Sequence, residues 1–143
     1  MRLRPILPLL ALAASAPLHA ANPFGLEWDL RARHEHVDDD AFTTSADVTT
    51  LRLRAGVRGD FGHGWSALIE GEGIIDAGDH HNNGANGRTT RPAVIDPDGA
   101  ELNQAWIGWK HDRFGATVGR QRLLFDNQRW VGNVGWRQNE QTF

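Results

Sequence analysis

The side chains best equipped for chemistry in this sequence are arginines spaced two residues apart. Arg52, Arg54 and Arg58 fall on one side of an alternating run, and Arg120 and Arg122 fall together in another. A guanidinium is a planar, permanently charged fork of N–H donors that grips a carboxylate through two parallel hydrogen bonds. A row of such forks binds anions and hands them on; it makes and breaks no covalent bond. Glu70 and Glu72 lie in the run next to the first group, so the same arginines can instead pair across strands and stiffen a wall. A second polar set follows in residues 126–142, where Asn127, Arg129, Arg137 and Asn139 are interleaved with Trp130 and Trp136. Folded inward, that tract narrows a passage and offers indole faces to sugar rings. Folded outward, it is a surface loop whose tryptophans pack on the wall.

Catalysis has no comparable foothold. There is no nucleophile elbow, no phosphate loop and no framed pair of catalytic carboxylates, so the chain does not read as an enzyme and no cofactor is expected. His34-Glu35-His36 with Asp38, and Asp79-His80-His81, lack the spacing of zinc or calcium loops, and no metal site is expected from them.

The arginines need elements with two unlike faces, and five runs supply them. Leu26, Trp28, Leu30 and Ala32 alternate with Glu27, Asp29, Arg31 and Arg33, which predicts a strand over 26–37. Leu51, Leu53, Ala55, Val57 and Phe61 alternate with Arg52, Arg54, Arg58 and Asp60, predicting a strand over 48–61. Further strands are expected over 65–75, where Leu68 and Ile74 break the alternation, over 102–110, where Trp106 does, and over 116–125. The connections run long, short, long, short, long: 38–47, 62–64, 76–100, 111–115, then 126 onward. Short turns at one end and long loops at the other are the plan of an outer-membrane barrel. Phe61, Trp65, Trp109 and Phe114 flank the short turns only, at one height, as an interfacial girdle requires. A structureless loop over 76–100 is also unusual for a compact soluble domain.

Composition agrees. Residues 1–20 read as a secretory signal: Arg2 and Arg4, an apolar run over 6–14, and Leu18-His19-Ala20 at the cleavage end. That run is too short to span a bilayer, and no later stretch is long and apolar enough to do so as a helix. Cleavage removes two of the 15 basic residues and leaves 18 acidic ones, which argues against nucleic acid as a partner. The chain has no cysteine, so an exported domain of this size needs a stabiliser other than disulfides. A bilayer supplies one, since a closed barrel satisfies its own backbone.

Residues 101–143 also carry a resemblance. Gly119-Arg120-Gln121-Arg122, Asp126-Asn127-Gln128-Arg129 and Trp136-Arg137-Gln138-Asn139-Glu140 resemble a motif of bacterial outer-membrane barrels of the alginate export family; the likeness continues more loosely upstream from about residue 26. The resemblance implies an outer-membrane porin or export channel, monomeric when full length, with an electropositive lumen that passes an anionic polysaccharide. Outer-membrane lipid, the barrel-assembly machinery and an anionic or polar saccharide are the partners it implies. Arg52, Arg54, Arg58, Arg120, Arg122, Asn127, Arg129, Arg137 and Asn139 are then the expected solute-contacting residues.

The expectation is therefore an all-β, antiparallel, up-and-down transmembrane β-barrel, with a signal at 1–20 and the N-terminal part of the barrel at 21–143. Five strands are too few to close, since outer-membrane barrels start at about eight. The chain ends on an aromatic, Phe143, yet Gln141, Asn139 and Arg137 hold the alternate positions that a terminal barrel strand fills with apolar residues. A longer reading frame with further strands is expected, and no stable pore from these residues alone. The alternative is a secreted β-rich saccharide-binding domain. It accounts for the tryptophans and the Asn/Gly-rich loops, but not for the length of every second connection.

Overall fold

The computed structural model describes residues 23–78 and 80–143; the expected signal segment lies outside them. Within the described residues, period-two alternation becomes strand at all five places. Strands β1 (Phe24–Val37), β2 (Ala46–Gly62), β3 (Trp65–Ala77), β4 (Gly99–His111) and β5 (Phe114–Arg120) form one antiparallel sheet in sequence order. The sheet is open, with β1 and β5 at its edges. This is the up-and-down order of part of a barrel.

The short connections are tighter than the sequence suggests. Between β2 and β3, His63 and Gly64 both take positive φ, 52° and 84°. That is the signature of the two-residue hairpin turn whose twist matches its flanking strands. Gly64 cannot carry a side chain there, because a Cβ would lie 2.0 Å from the Lys110 carbonyl oxygen. The second turn is also two residues, Asp112-Arg113, rather than the five expected over 111–115.

Two further expectations are corrected. The fifth strand ends at Arg120 instead of continuing to residue 125. Gly119 has φ 120°, and a Cβ on it would stand 2.2 Å from the Ala105 carbonyl oxygen, so the chain leaves the ladder at this glycine. Gln121 then exchanges backbone hydrogen bonds with Phe143, at 2.8 and 2.9 Å. The 76–100 connection is shorter and far from structureless. It spans 78–98, forms a parallel bridge between Asn82 and Ala93, and buries Val94 against Ala46 and Val48 at the long-loop end of β2.

The register separates two faces. Leu26, Leu53, Val57, Ile69, Ile75, Ile107 and Val118 stand exposed on the outer face. Along β3 this apolar band runs from Ala67 to Ile75, which matches a tilted bilayer crossing of about 9–11 residues. The inner face carries Arg31, Arg33, Arg52, Arg54, Glu70 and Glu72. Leu68, Ile74 and Trp106 do not break the alternation of facing; they are apolar residues on the inner side, where Leu68 and Ile74 are buried. At the short-turn end Trp65 pairs with Trp109, Phe24 meets Phe61 edge-on at 6.0 Å, and Phe114 lies opposite His111. The expected aromatic row is thus in place.

Candidate functional site

The charged face is built by strand parity and then covered by two segments that are not strands. One is the β3–β4 loop; the other is a strap, residues 126–143. The strap opens with a short turn, Asp126–Gln128, in which three successive residues take left-handed φ of 49°, 52° and 66°. It then runs across β1, β2 and β4 on backbone and side-chain hydrogen bonds. Arg31 donates to the carbonyls of Gly135, Trp136 and Arg137, each at 3.1 Å. Arg33 bonds the Trp136 carbonyl and pairs with the buried Asp96, and Asp96 accepts from the Gln138 backbone N–H at 2.8 Å. The Gln138 side chain, fully buried, donates to Thr50 Oγ1 at 2.9 Å.

At the centre lies a charge network. Arg54 Nη1 reaches Glu140 Oε2 at 3.0 Å, and its Nε lies 3.0 Å from Glu72 Oε2, off the hydrogen-bonding direction. Glu140 Oε2 also accepts from Asn103 Nδ2 at 2.8 Å and from Arg122, while its Oε1 accepts from Asn133 at 3.3 Å. The Glu140 backbone N–H reaches Glu72 Oε1 at 3.2 Å. Asn103 is in place because β4 has an extra residue. Glu70 pairs with Gln104 and Gly71 with Leu102, so the bulge turns Asn103 inward beside Gln104. Both amides donate to Glu70 Oε1, at 2.8 and 3.0 Å.

An apolar outer face, a charged inner face and an inward strap meet a matching sequence family. The family model described as alginate export matches residues 23–143. The chain belongs to the alginate export family. No curated protein and no solved structure matches it.

In this alginate export family member the expected solute-contacting residues divide into three groups. Arg52 and Arg54 are buried under the strap, with Arg52 paired to Asp29 and donating to the Gln138 carbonyl at 3.2 Å. Arg58, Arg120 and Arg122 are more open. Arg58 pairs with Glu27 and lies 5.3 Å over the Trp106 ring. Arg120 is registered opposite Ala105, an outer-face position, but beyond Gly119 its guanidinium reaches Glu101 at 3.1 Å, the Asn103 carbonyl and Thr142. Arg122 lies past the end of β5 and does not share a strand face with Arg120. Arg52, Arg54, Arg58 and Arg120 thus pair across strands, the alternative weighed for them, while Arg122 pairs with Glu140 of the strap.

The strap residues form the third group. Asn127 and Arg129 sit on its exposed first turn, with Arg129 3.9 Å from Asp126. Arg137 stacks 4.7 Å over Trp136 and donates to the Ile95 carbonyl. Asn139 lines a small cleft with Glu72, Asp98 and Glu101. Trp130 and Trp136 are both exposed, Trp136 with the Arg33 guanidinium of β1 5.7 Å over its ring. Sequence reasoning missed Glu140 and Asn103 as site residues. Glu140 stood in the quoted motif, but nothing local to it tells of partners on β2 and β4. The bulge that turns Asn103 inward left no signal beyond the misfit of Trp106. Among the described residues no three acidic or histidine side chains converge as metal ligands.

Proposed function

We propose that this chain forms part of the wall of an outer-membrane export channel for a hydrophilic, anionic solute such as an acidic polysaccharide. The observation that carries the reading is the division of one sheet into an outer face whose central positions hold no charge and an inner face rich in arginine and glutamate. In water the outer face is a large exposed apolar patch; against lipid tails it is at its free-energy minimum. The inner face then borders the lumen, and the strap narrows it. Arg129, Arg137, Asn127 and Asn139 face the solute from the strap, Trp130 and Trp136 offer stacking surfaces to sugars, and the arginines of β2 and the β5 end set the sign of the field.

The role is transport, not catalysis. Residues 1–20 direct export, the barrel-assembly machinery inserts the sheet, and the channel works as a monomer without nucleic acid or cofactor. A wall of this kind needs further strands on β1 and β5, because each bare N–H or C=O costs several kcal/mol in hydrocarbon. Fractionation tests the reading: the protein should sediment with outer membranes and require detergent for release. It should also conduct anions over cations in planar bilayers. Release as a soluble periplasmic species would sink the proposal and favour a saccharide-binding domain.

A further inference from the structure

The carboxylate of Glu140 is held in an unusual way for a loop residue. Its side chain is 2% exposed, and its donors come from four separate stretches: Arg54 of β2, Asn103 of the β4 bulge, Arg122 past β5, and Asn133 of the strap itself. Three of the four lie outside the strap, and those three converge on a single oxygen, Oε2. Two guanidiniums and a primary amide around one oxygen form a site for a carboxylate in general, not for this one residue in particular.

The strap that delivers Glu140 is held almost entirely by polar contacts. Trp130, Val134 and Trp136 are exposed, so little apolar burial opposes its lifting. Its first turn has three consecutive left-handed non-glycine residues, a conformation unfavourable for most L-amino acids and best tolerated by Asp and Asn, which hold two of the three positions. The charge network around Glu140 holds the strap down together with the Gln138–Thr50 hydrogen bonds, the carbonyls bound by Arg31 and the Gln121–Phe143 backbone pair. Lifting it empties the Arg54–Arg122 pair of its shared counter-ion, leaving Glu72, already engaged with Arg54, as the nearest carboxylate. Lifting the strap takes from Arg122 the carboxylate it pairs with and from Asn103 one of its two acceptors, so a second carboxylate that takes the place of Glu140 favours the raised strap.

We propose that Arg54, Asn103 and Arg122 form a carboxylate-binding station in the channel wall, filled by Glu140 when the strap is down and by a uronate carboxylate of the passing solute when it is up. Glu140 is then an internal stand-in for the solute, and opening is coupled to the arrival of an acidic sugar. A neutral sugar carries no carboxylate to take the place of Glu140 and so lacks this means of shifting the two states. This rests on the transport reading given above.

The test uses the full-length protein in planar bilayers, with trigalacturonate as the acidic probe and maltotriose as the neutral one. In the wild type, trigalacturonate should raise the frequency of open events and maltotriose should not. Glu140→Gln should open about tenfold more often without any sugar and hold trigalacturonate about tenfold longer, as expected when an internal competitor is removed. Glu140→Asp keeps the charge on a side chain one methylene shorter and should fall between wild type and E140Q. Arg54→Gln should shorten trigalacturonate dwell times and leave maltotriose unaffected. An E140Q channel with wild-type opening and dwell times overturns the station. If the variants do not fold, tryptic cleavage of the wild-type strap after Arg129 and Arg137 decides: it should quicken with trigalacturonate and not with maltotriose, and equal rates overturn the proposal. A protein that forms no channel at all overturns the transport reading instead.

Discussion

Single residues here are constrained by which side of the sheet they face and by how closely backbones approach. Leu53 sits near the middle of β2, opposite Leu30 and Gly73 on the outer face, and is half exposed. If that face meets lipid, Leu53→Arg should cost about 2–4 kcal/mol near the bilayer midplane. Urea unfolding of the lipid-embedded protein measures it, and unchanged stability would reverse the facing assignment. Gly119 is constrained by geometry instead. With φ 120° and no room beside the Ala105 carbonyl, Gly119→Val should strain the β4–β5 junction by about 1–3 kcal/mol. The loss should appear as faster hydrogen exchange in β5, with β1 to β3 unaffected. Equal protection in both proteins would show that the turn out of the ladder needs no glycine.

At the scale of elements, the strap and the β3–β4 loop are one assembly joined through Asp96. This buried carboxylate takes Arg33 of β1 on one oxygen and the Gln138 N–H on the other. Ile95 beside it accepts from Arg137 through its carbonyl. Removing Asp96 takes a buried carboxylate from a guanidinium whose remaining partners are Glu35, at 2.9 Å, and the Trp136 carbonyl. Asp96→Ala should therefore weaken the strap by about 3 kcal/mol, the scale of a broken buried pair. Hydrogen exchange over residues 133–141 reads that directly. Exchange confined to the β3–β4 loop would mean that the strap is held by Arg31 and Gln138 without it.

For the whole molecule the decisive quantity is the sign of the inner field. Arg120, Arg122 and Arg129 face Glu101, Glu140 and Asp126 in turn. Replacing all three with Gln removes three positive charges from beside those carboxylates, Glu140 alone keeping Arg54, so the reversal potential in a salt gradient should move towards cation preference. The shift should shrink as ionic strength rises, because charges exposed to solvent are screened within about 10 Å at 0.1 M salt. Unchanged selectivity in the triple variant would place the selecting charges elsewhere, with the buried Arg52 and Arg54 the next candidates.

Much of this architecture is legible in sequence order because strand facing is a local property. Alternation of period two assigns Leu53 to one side and Arg54 to the other, whatever the rest of the chain does. The turn chemistry of His63-Gly64 and the alternation of short and long connections are local as well, and so is the motif that ties residues 119–140 to the alginate export family. What the arginines do with their charge is not local. Arg54 meets Glu140 and Arg31 meets Gly135 only because the strap folds back across the sheet, and hydrogen bonds between residues so distant in sequence leave no periodic trace. The same holds for the bulge at Asn103, which exists only through the mismatch of β3 with β4, and for the exit at Gly119, which is set by the neighbouring Ala105 carbonyl. Local pattern decided which face each residue takes; only the tertiary fold decided which charges on that face were already spoken for.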